Sequence, residues 1–226
     1  MKHEPPLGGE QPPQPIDPPA AQEAAGTPAE SPLPTHEAHE QELSLLPQIW
    51  VGSLSDYNNG QLYGAWIDAA REPEQLQADI ATMLAGSPWA ARTGEPAEEW
   101  GVFDTENFGG CRIDQHENLD WISNVAKGIK QHGLAFAAWA DVVEEPERLT
   151  EFDKAYQGHY DSVTAYVEQL INDLGYDELL DRVVPTTLRP YVKIDVAATA
   201  RDLLFGGDLQ ALEAAEGGVW IFNACY

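Results

Sequence analysis

Two histidines, His36 and His39 in THEAHE, stand three residues apart with acids beside them, a spacing that puts two metal ligands on one helical turn. A third, His116, lies in DQHENLD among Asp114, Glu117 and Asp120. The stretch DTENFGG (104–110) carries oxygens at alternate positions, as a calcium loop does. Each falls short of a site. The first pair sits in a proline-rich segment with little to fold around. The His116 cluster has no second group of His or Cys to converge with it, and reads as a solvated loop and helix N-terminus where acids suit the dipole. The calcium-like stretch has Gln115 where the bidentate glutamate belongs. Cys111 and Cys225 are far apart in sequence and read as two free thiols of a reducing compartment. No phosphate-cradling glycine loop, dinucleotide fingerprint, nucleophile elbow or Cys–His pairing occurs in a recognisable context. Nothing argues positively for an enzyme, a cofactor or a resident metal.

What remains is the acid itself. The 226 residues hold 38 acids against 12 bases, a formal net charge of -26. With 43% hydrophobic residues and seven tryptophans, the chain has too much apolar mass to stay solvated. A folded, strongly acidic protein repels nucleic acid and anionic membranes and favours basic partners, cations or high salt. No run approaches the ~20 apolar residues of a membrane span, and MKHEPPLGGE lacks the apolar core of a signal peptide, so a cytoplasmic location is expected.

The acidity belongs mainly to the part that folds. Residues 1–47 hold 11 of the 17 prolines, one base and eight acids, and read as a disordered tail of net charge -7, leaving -19 for the other 179 residues. Candidate partner-binding acids run through that body: Asp104 and Glu106, then Asp114, Glu117 and Asp120, then Asp141, Glu144, Glu145 and Glu147. Glu151 and Asp153 follow, then Asp161, Glu168 and Asp173, and last Asp177, Glu178 and Asp181. B-DNA carries one charge per ~1.7 Å of axis, so -19 matches roughly 32 Å of duplex, about ten base pairs. Asp161 and Glu168, read as two turns apart on one helix, would be ~10 Å apart along it.

The elements that must position these acids follow from periodicity. QIWVGSL (48–54) and QLYGAWIDA (61–69) predict strands, joined by a turn in SDYNNG. Pro73 begins a helix marked by Leu76, Ile80, Met83 and Leu84, and EWGVFD (99–104) predicts a third strand. Leu119, Ile122, Val125, Ala126 and Ile129 mark a helix closed by Gly133. Leu134 to about Val143 is apolar all round, so a mostly buried helix is expected, and Leu149, Phe152, Ala155 and Tyr156 form the next element. Val163, Tyr166, Val167, Leu170, Ile171 and Leu174 mark the clearest helix, stopped by Gly175. A helix around Val196 to Leu204 and a terminal hairpin of LQALEA and GVWIF complete the chain. The expected architecture is α+β: an N-terminal β-β-α-β domain (48–110), a central helical domain (111–175) and a C-terminal α+β domain (176–226).

The residues alone leave three functions open. Carboxylates spread over an ordered body fit a mimic of DNA, an interaction module or chaperone for basic proteins such as histones, or an ordinary salt-adapted protein, metal-dependent enzymes included. Six segments in order, VGSLSDYNNGQLYGAWIDA, EEWGVFDTENFGG, HGLAFAAWADVV, FDKAYQGHYDSVTAYVEQLINDLG, LRPYVKIDVAATARDL and GGVWIFNACY, resemble the ArdA antirestriction proteins. That resemblance implies an acidic, elongated, three-domain homodimer that imitates bent duplex DNA and makes or breaks no bond. It would occupy the DNA groove of a type I restriction–modification enzyme, on its methyltransferase core, and protect incoming mobile DNA. HGLAFAAWADVV is similar to the family's antirestriction motif. Leu134, Phe136, Ala137 and Trp139 within it read as helix packing or dimer contact, and the acids around them as the recognised charge.

Overall fold

The computed structural model describes residues 46–143 and 145–224. The expected tail, with His36 and His39, lies outside the described residues up to position 45, and so do Glu144 and Cys225. Leu46 and Pro47, counted with the tail in the sequence, are buried: the Ala69 N–H donates to the Pro47 carbonyl (2.9 Å) and the Asn107 side chain to that of Leu46 (3.0 Å).

The fold is mixed α+β with two small antiparallel sheets. The first has the order β2-β1-β3, from β1 (Gln48–Ser53), β2 (Gly64–Asp68) and β3 (Trp100–Glu106). Ile49 and Val51 alternate with outward residues and are fully buried, as a half-covered strand requires. The SDYNN segment, expected as a turn, is the short helix α1 (Leu54–Asn58), because Ser53 caps it by accepting from the Asp56 N–H. Helix α2 (Pro73–Ala85) begins at a proline in the first turn and buries the Leu76, Ile80, Met83, Leu84 stripe against the sheet. A short helix not foreseen from the pattern, α3 (Pro88–Thr93), follows it.

Helix α4 (Leu119–His132) ends at Gly133, whose φ of 71° lets the chain turn at once into α5 (Leu134–Val142). The two helices touch where Gly128 faces Phe136: a Cβ there would lie 2.1 Å from the ring. The one element expected around Leu149–Tyr156 is two single-turn helices, α6 (Pro146–Leu149) and α7 (Phe152–Ala155), leading into β4 (Tyr156–Tyr160). Then come α8 (Val163–Asp173), α9 (Tyr176–Val183), a 3-10 turn at Arg189–Tyr191, α10 (Val196–Gly206), β5 (Leu209–Glu213) and β6 (Val219–Asn223). The expected β5–β6 hairpin is present, but β6 also pairs with β4, giving the order β4-β6-β5. Among the described residues no helix is long and apolar enough to cross a membrane.

Buried apolar residues form two clusters. The larger runs from the first sheet through α2, α4 and α5 to Phe222; the smaller holds Tyr166, Val167, Ala200, Leu209 and Ile221. Phe222 and Ile221 are neighbours on β6 and point to opposite faces. The second sheet therefore has core on both sides.

Among the described residues Asp56 is the buried charged side chain. It accepts from the Ser87 hydroxyl (2.5 Å) and the Trp89 N–H (2.8 Å), tying α1 to the start of α3. Burial works to raise its pKa, but the hydrogen bonds from Ser87, Ser53 and Trp89, with the Arg92 charge, outweigh it and hold the carboxyl below its usual range. A folded pKa below the unfolded one contributes stability above about pH 4 that is lost as pH falls through the folded value. Asp56→Ala is expected to cost roughly 2–4 kcal/mol at pH 7, since it leaves the buried Ser87 hydroxyl and the part-buried Trp89 N–H without their acceptor. Urea unfolding measures it, and the gap between parent and Asp56→Asn is expected to narrow below about pH 4.

Candidate partner-binding surface

Fourteen of the seventeen acids singled out in the sequence are exposed; Glu117 and Glu151 are half-buried and Glu144 lies outside the described residues. Three separate segments, the start of α2, residues 112–124 and the end of α5, bring several of them together. The loop 112–118, the start of α4 and the end of α5 enclose an open groove of about 490 Å³ lined by Arg112, Asp114, Glu117, Asp120 and Asp141, with Pro146 at its edge. Glu117 and Asp120 also line a second depression, shared with Glu74 and Gln77 of α2. The two depressions adjoin at Glu117, Asn118 and Asp120, so one acidic strip runs from Glu74 to Asp141. Glu74 was not among the acids picked from sequence. It stands 43 positions before Glu117, and no local pattern connects them.

Local structure explains where these charges stand. Asn118 caps α4 by accepting from the Asp120 N–H (2.7 Å), which sets Asp120 in the first turn; Glu74 has the same place in α2. Both suit the positive end of the helix dipole. Asp141 does not: it lies in the last turn of α5, where a negative charge opposes the dipole. Arg112 offsets that cost, its backbone N–H donating to Asp141 Oδ1 (3.1 Å) with Nε 3.8 Å from the same oxygen.

Elsewhere the acids differ in what surrounds them. Asp104 and Glu106 stand on the extended strand β3 and only the last four residues of DTENFGG turn, so its carboxylates are not wrapped in a loop as a calcium site needs. Asp161 precedes the Ser162 cap of α8, whose backbone is extended, so helical rise does not set its distance to Glu168, as the sequence reading supposed. Glu168 is exposed on α8, and Asp173 closes that helix within reach of Gln169 (3.5 Å). Glu145 and Glu147, at the start of α6, are exposed. Glu151 lies 3.6 Å from Arg148, and Asp153 lies 3.7 Å from His132. Asp177 (2.9 Å) and Asp181 (2.5 Å) share Arg189, while Glu178 stands between them on α9. Asp181 and then Asp177, by hydrogen bonds and charge, hold that guanidinium still more firmly protonated. His116 is exposed beside the strip. Among the described residues no group of three or more His, Cys, Asp or Glu is arranged to hold a metal ion.

The motif-like segment lies beneath this surface. Phe136, Ala137 and Trp139 are buried, and Leu134 keeps 39% of its surface. Trp139 stacks on Phe222 (5.0 Å between centroids) and donates its indole N–H to the Arg148 carbonyl (3.2 Å). Its helix thereby carries Asp141 to the groove wall.

A family model described as antirestriction protein (ArdA) matches residues 49–216. The chain belongs to that family. No curated protein matches the chain.

Cys111 lies against the strip. Burial, then the charges of Asp141 and Glu117, push its thiol up to about 12, which makes it a poor nucleophile. In a Cys225→Ser protein, native Cys111 is expected to react with Ellman's reagent at pH 8 on the order of a hundred-fold slower than after unfolding. Rapid stoichiometric labelling of the native protein would contradict the buried placement.

Proposed function

We propose that this antirestriction protein works as a DNA mimic: it occupies the DNA-binding groove of a type I restriction–modification enzyme, on the methyltransferase core, in the cytoplasm that receives incoming mobile DNA. It makes and breaks no bond and needs no cofactor. The observation that carries this reading is the ordered acidic strip from Glu74 to Asp141, built from three separate segments of an antirestriction-family chain. Such a strip is held rigid by the elements under it, as a phosphate backbone is by its stacked bases.

Binding through many charges is distributed, so each contributes little. Single changes such as Glu145→Gln or Asp161→Asn are expected to leave inhibition nearly intact. Joint neutralisation of Glu74, Asp114, Glu117, Asp120, Asp141 and Glu145 is expected to weaken it progressively. The measurement is displacement of a fluorescent target duplex from the methyltransferase core at two salt concentrations. Stoichiometric displacement that tightens at low salt, and that equally charged polyglutamate does not reproduce, supports a shaped mimic. Failure of the folded protein to displace DNA at any ratio would sink it, and equal binding to histones and methyltransferase would point to a general chaperone for basic proteins.

The reading includes a homodimer, which doubles the length of charge presented. Helix α9 supports this: Tyr176, Leu179 and Val183 recur on one stripe, all are exposed, and the helix has no buried residue. Leu179→Asp with Val183→Asp is expected to shift the light-scattering mass from two chains to one. An unchanged mass would place the contact elsewhere.

A further inference from the structure

The outer face of the first sheet carries a feature that charge does not account for. Ile49, Val51, Ile67 and Val102 are buried on the inner face, so the residues that alternate with them look outward. There Trp50 stands opposite Trp66 in the β1–β2 register. A bulge sets two residues of β3, Phe103 and Asp104, against the single position of Trp50, so both reach the outer face. The Phe103 ring meets Trp50 edge-on at 5.6 Å and Tyr57 at 5.0 Å. Gly52 and Gly64 leave the room that Trp50 occupies, since a Cβ on either would lie within 2.8 Å of its ring. Trp66 and Tyr57 keep 42% and 53% of their surface exposed. By register Asp68 and Glu106 both pair with Gln48, two residues before Trp50, and so share this face with Asp104. An open aromatic floor thus has a row of carboxylates at one end.

We propose that this face docks an arginine-bearing segment of the protein partner. Guanidinium groups would stack on Trp66, Phe103 and Tyr57 and donate to Asp104, Glu106 and Asp68. The planar, weakly hydrated guanidinium suits such a floor better than the compact lysine ammonium. Single-stranded nucleic acid also stacks on aromatic platforms, but those platforms lie in basic grooves, and this one is rimmed by acid. The inference rests on the DNA-mimic reading in taking the partner to be a basic protein groove. It adds that the grip there is selective for arginine.

The full chain is titrated with octa-arginine and octa-lysine peptides at fixed salt, with binding followed by tryptophan fluorescence and calorimetry. The parent protein is expected to bind the arginine peptide more tightly. Trp66→Gln with Tyr57→Ser is expected to weaken it roughly five- to thirty-fold while changing lysine-peptide binding by no more than about two-fold. Trp66→Phe, which keeps an aromatic face, is expected to retain the preference, and near-ultraviolet circular dichroism checks the fold of each variant. Equal affinity of the parent for the two peptides, or a preference that survives the double substitution, overturns the proposal. So does tight oligothymidylate binding that the double substitution abolishes, which would assign the face to single-stranded nucleic acid. Displacement of duplex from the methyltransferase core separates the two readings. A parent that prefers arginine but displaces no DNA supports the docking face and overturns the mimic; displacement undiminished by the double substitution overturns the docking face alone.

Discussion

Strand β6 is the constraint on which the rest of the structure depends. Successive side chains of a strand point to opposite faces. Phe222 enters the large core, where it meets Trp139, Phe152 and Tyr156 at ring separations between 5.0 and 6.0 Å, while Ile221 enters the small one. A one-residue slip of β6 against β4 or β5 would exchange these faces and empty both cores at once. Strand β4 meets the same demand with an irregularity at Gln157, which lets Tyr156 pack with the large core and Tyr160, four residues on, with the small one. The second sheet is therefore a wall shared by two cores, and its edges and loops are what remain for solvent.

That arrangement decides where charge can go. With apolar residues needed on both faces of one sheet and on the inner face of the other, the carboxylates are driven to helix ends, outer helix faces, loops and the outer face of the first sheet. Helix N-termini take them at no cost, as Glu74 and Asp120 do. Asp141 and Asp173 stand at the opposite ends of their helices, where the dipole opposes them. The fold meets the first of these conflicts with Arg112, and it places Arg189 between Asp177 and Asp181. With only 12 bases in the chain, such local compensation is scarce, and most of the acidic surface is left for a partner or for counterions.

The long elements were legible in the sequence because one period decides each of them. The Val163–Ile171 stripe and the Leu119–Ile129 stripe have the helical spacing, and Gly133 marks its boundary without ambiguity. The short elements were not. SDYNN has the composition of a turn, and only the hydroxyl of Ser53 and the donors around the Asp56 carboxylate make it a helix. Strand β4 contains Gly158 and His159 and shows no alternation, because its pairing with β6 is set from outside and broken by the bulge. For the surface, exposure of the acids followed from their chemistry alone. Their convergence did not: Glu74 reaches Glu117 only through the packing of α2 beside α4.

If the proposed mimicry of DNA holds, packing explains how a motif-like apolar segment serves it from beneath the charged surface. Helix α5 has Trp139 locked against Phe222 at one side and Phe136 pressed into Gly128 of α4 at the other. Its rotation is fixed by both contacts, and with it the direction in which Asp141 leaves the last turn. The loop carrying Arg112 and Asp114 is then held to α5 by the hydrogen bond to Asp141. Rigidity of this kind separates a shaped array of charges from a polyanion. A flexible acidic chain must surrender conformational entropy to match a groove built for duplex DNA, whereas carboxylates fixed on a packed core have already lost it on folding. On the DNA-mimic proposal, each apolar contact under the strip contributes to recognition through the geometry it imposes on the acids above it.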